Sequence, residues 1–299
     1  MGTSSVALQS TRRTRYALVA RNVRSELVGM SAPDLAARIA AARRAVLGQT
    51  ELMHREFGRV ESKWKHDGTR VTAADLAISA NIARELQAQF PEDQFLSEEL
   101  ATTTVIPVTA EFAWVLDPID GTNNFALGIP ACAISLGLCH RGEPVYGTIY
   151  DLSRRVLMHG GPGYGAWDGE RAVRVLTTLP HKESIIGLHS PHNKALLPLA
   201  SAVLAHFKIR GLGSATLHLA YVAAGLLDGS VDFNVKIWDL AAAIPLCRAA
   251  GGEVSFLNAN PLPLRQFDLK MPGLIYAAGS PAMCARLREL MEPQLPKTR

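Results

Sequence analysis

Four carboxylates carry the first chemical signal in this chain. Glu98 and Glu99 close one apolar segment, and Asp117 and Asp120 close another, in the run Trp114-Val-Leu-Asp-Pro-Ile-Asp-Gly-Thr122. Acids packed this densely beside apolar residues repel one another and lose hydration, so a cation must offset them. Hard carboxylate oxygens with no Cys or His nearby in the chain suit a divalent ion such as Mg²⁺.

The spacing predicts how the acids are presented. Residues 112–116 read as a buried strand that stops at Pro118, which has no N–H for a ladder, so Asp117 and Asp120 would flank a tight turn and face one point. Gly121 allows close backbone approach, and Thr122-Asn123-Asn124 read as the first residues of a helix whose free N–H groups would hold an anion such as phosphate. An EF-hand loop is excluded, because counting from Asp117 its third and fifth positions are Ile119 and Gly121, which bring no side-chain oxygen. An Asp-x-Asp-x-Thr phosphoryl-aspartate motif is excluded too, since the two aspartates lie three apart.

Two further acids sit at expected helix starts. Thr72 followed by Asp75 has capping-box form before a helix with Ile78, Ile82 and Leu86 on its apolar face, and Asp67-Gly68 upstream signals a turn. Asp239 opens an expected helix over residues 238–252, with Arg248 in its last turn and Gly251-Gly252 ending it. Taken singly, each of these aspartates is explained by capping alone.

Taken together, residues 65–75, Ser97-Glu98-Glu99, residues 114–125, Gly213-Ser214-Ala215 and residues 238–252 resemble the inositol monophosphatase family, within the group that also holds fructose-1,6-bisphosphatases and bisphosphate nucleotidases. The resemblance covers roughly residues 31–295. It implies a layered αβαβα sandwich of the sugar-phosphatase type and a phosphoric monoester hydrolase acting on a small phosphorylated metabolite. It implies two or three Mg²⁺ ions, one held by Glu98, Asp117 and the Ile119 carbonyl and another by Asp117, Asp120 and Asp239, with Glu99 a weaker or outer ligand. Thr122, backed by Asp75, would activate the attacking water together with the ion on Glu98. Gly121, Thr122, Gly213, Ser214, Ala215, Arg210 and Asp232 would line the substrate. Asp232 departs from the pattern, since inositol-specific members carry a glutamate seven positions before the Trp-Asp aspartate. The resemblance further implies inhibition by Li⁺ and a homodimer.

The elements that must position these groups follow from periodicity. Ser31 is expected to cap a helix with Leu35, Ile39, Ala42, Val46 and Met53 on one side. Alternating runs at 132–138, 145–150 and 156–159, joined by glycine-containing turns, predict an antiparallel meander. From about residue 171, strands at 184–188 and 208–211 alternate with helices at 193–207 and 214–227. The expected organisation is a basic extension over 1–29, an α+β half over 30–170 with the metal motifs, and an α/β half over 171–299 with Asp239 and the substrate contacts. The run Gly160-Gly-Pro-Gly-Tyr-Gly165 reads as a hairpin turn; His189 and His192 follow a strand and could face the cleft, but read first as a loop pair with ordinary surface roles.

Composition sets the class. The chain has 299 residues, 48% hydrophobic and 19% charged, enough to bury a large core. No stretch of 18 uninterrupted apolar residues suggests a membrane span. Cys132, Cys139, Cys247 and Cys284 form no Cys-x-x-Cys pair and read as core thiols of a reducing, cytoplasmic protein. Arg12, Arg13, Arg15, Arg21 and Arg24 outnumber Glu26 by four, which equals the whole net charge of +4. The body is therefore neutral, and nucleic acid is not an expected partner. The arginine-rich extension lacks an apolar core for a signal peptide, and reads as a disordered tail or an organelle transit peptide. Three functions stand: a Mg²⁺-dependent monophosphatase; a phosphatase for 3′-phosphoadenosine 5′-phosphate, fructose 1,6-bisphosphate or histidinol phosphate; and a non-catalytic regulatory or RNA-associated protein of the same fold.

Overall fold

The computed structural model describes residues 32–64, 70–100, 105–189 and 193–295. The basic extension, the Ser31 cap, the Asp67-Gly68 turn and His192 lie outside them. Contacts divide the chain after Ala41, and the described part of the first unit is the start of helix α1 (Ala32–Leu47). Met53 does not continue that helix. It belongs to α2 (Thr50–Glu56), because Gly48 closes α1 on the Arg44 carbonyl at 2.8 Å and the chain turns before Thr50.

A short hairpin, β1 (Ser62–Trp64) and β2 (Arg70–Thr72), leads into α3 (Ala73–Gln89). Thr72 caps α3 in a reciprocal box with Asp75, and Ile78, Ile82 and Leu86 are buried as the periodicity predicts. Next come β3 (Gln94–Ser97), β4 (Val105–Pro107), β5 (Phe112–Asp120) and the one-turn helix α4 (Thr122–Leu127). The expected meander follows as β6 (Ala133–His140), β7 (Glu143–Asp151), β8 (Val156–Gly161), β9 (Gly165–Asp168) and β10 (Arg171–Ala172). These strands form a seven-stranded sheet in the order β10-β9-β8-β7-β6-β5-β3, antiparallel except for the parallel β3–β5 pair. The glycine-rich run at 160–165 is the β8–β9 turn, as expected.

The second sheet is built from β11 (Ile185–Leu188), helix α5 (Leu197–Leu204), β12 (Lys208–Arg210), helix α6 (Ala215–Ala223) and β13 (Gly229–Val235). Helices α7 (Ile237–Leu240) and α8 (Ala243–Ala249) precede β14 (Glu253–Phe256), β15 (Gln266–Asp268), β16 (Leu274–Gly279) and α9 (Pro281–Met291). Its order is β12-β11-β13-β16-β14, with β11 parallel to both neighbours, while β15 pairs with β4 as a separate ribbon. Helix α3 packs on β3 and β5; α6, α7 and α8 lie between the two sheets; α5 and α9 cover the far side. That is an αβαβα sandwich. Because helices cover both faces of the first sheet at its centre, every residue of β5 and β6 is buried, the acids of β5 included.

Two expected elements are corrected. Strand β5 does not stop at residue 116 but runs through Pro118 to Asp120. Its neighbour β3 ends opposite Leu116, and on the β6 side the register slips between Asp117, opposite Ser135, and Asp120, opposite Ala133. Pro118 therefore falls in a β-bulge, where no ladder N–H is required. The helix expected over 238–252 is broken into α7 and α8. Pro245 cannot accept the helical arrangement with the Ala241 carbonyl four residues earlier, so the chain turns at Ala241-Ala242. That turn is pressed onto the first sheet at two glycines paired across β6 and β7. A Cβ on Gly137 would lie 2.7 Å from the Ala241 carbonyl carbon, and one on Gly147 would lie 1.8 Å from the Ala242 oxygen.

Candidate active site

The bulge in β5 determines where its acids point. In an uninterrupted strand, residues three apart face opposite sides, whereas the extra residue in a bulge returns Asp120 to the side of Asp117. Asp239 joins them from α7, and one oxygen from each of the three carboxylates lies within 4.8 Å of the others. Each acid is anchored through a single oxygen. Asp117 Oδ1 accepts the Ile119 N–H at 3.1 Å; Asp120 Oδ2 accepts the Ser214 hydroxyl and the Thr216 N–H, both at 2.6 Å; Asp239 Oδ2 accepts the Lys236 N–H at 2.7 Å. The second oxygen of each takes no hydrogen bond from the described residues. The parallel register that sets Ser97 opposite Leu116 places Glu98 alongside Asp117.

Asp75 serves two purposes. Its Oδ2 accepts the Thr72 N–H at 2.7 Å and the Thr72 hydroxyl at 2.6 Å, completing the cap. Its Oδ1 lies 3.4 Å from the Thr122 hydroxyl, which also reaches the Ile119 carbonyl at 2.9 Å. Capping and site-forming are therefore compatible in one carboxylate. Gly121 begins α4 with φ +90°, and a Cβ there would meet the Ala131 oxygen at 2.8 Å, so both conformation and space require glycine. Asn124 ties this turn to the second sheet's loop through the Ala131 and Leu212 carbonyls, at 2.8 and 2.7 Å.

Electrostatics test whether a cation fits. Burial pushes the Asp117 carboxyl well above the usual range, and the charges of Glu98, Asp120, Asp239 and Asp75 push further. Burial likewise raises Asp239, with Asp120 and Glu98 adding to it. Asp120 is raised by burial, against the lowering effect of its Ser214 and Thr216 donors. Two buried carboxylates and a half-buried third, each offering an oxygen within 4.8 Å of the others, are hard donors with unbalanced charge, and a divalent ion matches both properties.

Not every expected residue gathers there. Neither Glu98 nor Glu99 belongs to the three-acid group, and Arg210 is exposed, donating to the Ile209 carbonyl beside it at 2.9 Å. Gly213 packs against the Asn124 amide, and Ser214 caps α6 while holding Asp120, with Ala215 as the first helical residue. Asp232 is buried against His189, its Oδ2 2.5 Å from Nδ1. His189 does lie in the loop just after β11, as expected, but its ordinary surface role is corrected, because the parallel register of β11 and β13 sets it beside Asp232. Thr216 was not visible as a site residue from sequence; its N–H holds Asp120 and its hydroxyl holds the Asp239 carbonyl at 2.7 Å. Its one sequence signal is its place in the first turn after the Gly-Ser cap.

Fold and site thus define a five-layered α/β protein with a buried acid cluster suited to metal. A family model described as "Inositol monophosphatase family" matches residues 31–293. The inositol-1-monophosphatase of Mesorhizobium japonicum is 33% identical over 250 residues, covering 81% of this chain and 91% of that protein. The Nus factor SuhB of Pasteurella multocida is 30% identical over 207 residues, covering 67% and 77%. The crystal structure of the extragenic suppressor protein suhB from Bartonella henselae superposes with a TM-score of 0.76 at 29% identity, covering 87% of this chain and all of that one. The chain belongs to the inositol monophosphatase family. It is a phosphoric monoester hydrolase. No helix among the described residues is long and apolar enough to cross a membrane.

Proposed function

We propose that the chain is a Mg²⁺-dependent phosphomonoesterase that hydrolyses a small polyol, sugar or other metabolite monophosphate by in-line attack of water. The observation that carries this reading is the convergence of Asp117, Asp120 and Asp239, each anchored through one oxygen, with the Thr122–Asp75 pair beside them. Glu98, Asp117 and the Ile119 carbonyl would hold one ion, and Asp117, Asp120 and Asp239 another, with Glu99 outside them. Bound there, Mg²⁺ supplies the positive charge that acidifies the attacking water and stabilises the departing alkoxide.

The protein's own part is to position and to move a proton. Thr122 donates to either of two acceptors, the Ile119 carbonyl or Asp75 Oδ1. Turned to Asp75, its hydroxyl oxygen offers a lone pair to a water hydrogen, and Asp75, fixed by two Thr72 donors, holds that orientation. The N–H groups of Gly121 and Thr122 would receive phosphate oxygens. Family membership supports a homodimeric, cytoplasmic enzyme sensitive to Li⁺.

The test is phosphate release from a panel of metabolite monophosphates. EDTA is expected to abolish turnover and Mg²⁺ to restore it, with Li⁺ inhibiting; full turnover in metal-free buffer would overturn the reading. Thr122→Ala is expected to lower kcat by about 10²–10⁴-fold with KM little changed, as for a lost general base, and Thr122→Ser to recover most of it. A Thr122→Ala enzyme with normal kcat would reduce this threonine to a helix-start residue. A second, non-catalytic reading in an RNA-associated assembly is supported by the Nus-factor name of one relative. Against it, a binding-only protein has no need for buried acids that repel one another when metal-free.

A further inference from the structure

At the opposite end of the first sheet from the acid cluster, the chain forms a second concave surface. A groove of about 430 Å³ is lined by Val108, Thr109, Ala110 and Glu111 of the β4–β5 loop, Arg141 of the β6–β7 turn and Arg265 just before β15. Strand β5 starts at this groove and ends at the acid cluster, so at ~3.3 Å per residue the two are about 25 Å apart. The volume suits a small metabolite. Three stretches of chain are knitted together here. The Gln94 side chain fixes the loop, its Nε2 donating to the Pro107 carbonyl at 2.8 Å and its Oε1 accepting the Thr109 and Ala110 N–H groups at 2.7 and 2.8 Å. The Val108 N–H donates to the Arg265 carbonyl at 2.9 Å, the Leu264 N–H to the Gly142 carbonyl at 2.8 Å, and the Arg141 N–H to the Glu111 carbonyl at 2.7 Å. Walls held in this way lose little freedom when a ligand binds.

Arg141 is out of place as a turn residue. Its φ is +51°, followed by Gly142 at +84°, a two-residue turn that ordinarily carries Asn or Asp before the glycine. A long side chain in that conformation is strained, and strain of this kind gathers at functional sites. The ion pair that Arg141 makes does not account for it. Nη2 lies 3.0 Å from Glu111 Oε1, but the two side chains are 73% and 58% exposed, and exposed pairs contribute little to stability. Arg265 is exposed too and makes no ion pair among the described residues. Glu111 Oε1 also faces His140 Nε2 at 3.3 Å, whereas its Oε2 takes no hydrogen bond from the described residues.

We propose that this groove is a second binding site, separate from the acid cluster, for a small phosphorylated polyol: Arg141 and Arg265 receive the phosphate, and Glu111 Oε2 accepts a hydroxyl. Two arginines against one glutamate leave the lining positive, and guanidinium groups match phosphate oxygens with paired donors. A carboxylate only accepts, so beside the anion it selects a ligand that also brings a donor, and a polyol does. None of these residues belongs to the acid cluster, so the groove binds whether or not the cluster hydrolyses.

Isothermal titration calorimetry on the full chain, with and without Mg²⁺, tests this with glycerol 2-phosphate and inorganic phosphate as probes. Glycerol 2-phosphate is expected to bind without Mg²⁺, when the bare acid cluster would repel it, and to bind more tightly than inorganic phosphate. Arg141→Asn suits the turn, so this variant is expected to melt no lower than wild type while its metal-free binding weakens about tenfold or more, the size of a charged hydrogen bond. Arg265→Ala is expected to weaken binding by a similar factor, and Glu111→Ala to bring the affinities for the two probes together. Phosphate release in Mg²⁺ should be unchanged in all three variants. No metal-free binding of glycerol 2-phosphate to the wild type, or binding undiminished in either arginine variant, overturns the proposal. Equal wild-type affinities for the two probes, or an unchanged preference in Glu111→Ala, overturns the polyol as its ligand. Absence of phosphate release from the whole panel, with the groove still binding, would count against the phosphatase reading alone.

Discussion

Asp117→Asn is expected to remove about 10³-fold of kcat/KM while leaving a folded protein whose metal-free form melts higher than the wild type. Asp117 lies at the centre of the charge problem: burial and four neighbouring acids all oppose its ionised form. An amide keeps the shape and the Ile119 N–H contact but loses the charge. The sign with pH follows from the raised folded-state pKa. The native carboxyl binds its proton more tightly than the unfolded one, so the stability cost is full above the folded pKa and vanishes below the ordinary aspartate range. The gain in melting temperature of Asp117→Asn should therefore be largest near neutral pH and fade on acidification toward pH 4, without metal. Mg²⁺ should raise the wild-type melting temperature and have little effect on the variant. Thermal melts with and without Mg²⁺, beside turnover, check this. A variant that melts lower than wild type at neutral pH, with its Mg²⁺ response intact, would return Asp117 to a structural role.

Gly147→Ala is expected to be the most damaging single methyl addition to this architecture. The new Cβ would lie 1.8 Å from the Ala242 oxygen, a backbone atom that can move only with the α7–α8 turn. Overpacking of this kind costs about 3 kcal/mol. The displacement also has a functional direction, because Asp239 sits three residues before Ala242 in the turn that would be pushed off the sheet. Urea unfolding should show a lowered midpoint, and a Mg²⁺ titration followed by thermal shift should show weakened binding in the fraction that folds. Gly211→Ala is the comparison, since its Cβ would make an ordinary contact at 3.4 Å with the Leu188 oxygen. Equal stability of the two variants would show that the turn yields, and that the sheet does not place Asp239.

Neither glycine was conspicuous in the sequence. Gly137 and Gly147 sit inside strands, where a lone glycine signals only a close approach by something unnamed. The approaching backbone comes from a turn about a hundred residues later, created by Pro245. The sequence pattern also put Pro118 at a strand end, since a ladder position without an N–H ordinarily is one; the tertiary structure instead absorbs it in a bulge of β5 against β6, where β3 on the other side has already stopped.

Local chemistry was legible in the amino-acid order: the acid-rich turn, the Thr72–Asp75 box, the Gly121 conformation, the meander and its glycine turn all follow from residue type and short-range spacing. Asp75 was ambiguous in sequence between cap and site, and the structure assigns it both contacts, because its two oxygens face different partners. What only the tertiary structure decided is convergence. Asp239 meets Asp117 and Asp120 because two glycines admit a helix turn onto the sheet, and His189 meets Asp232 because two strands far apart in the chain run parallel in a fixed register. Spacing along a chain governs groups a few residues apart through backbone geometry, whereas groups a hundred residues apart are brought together by packing, which depends on the whole set of contacts at once.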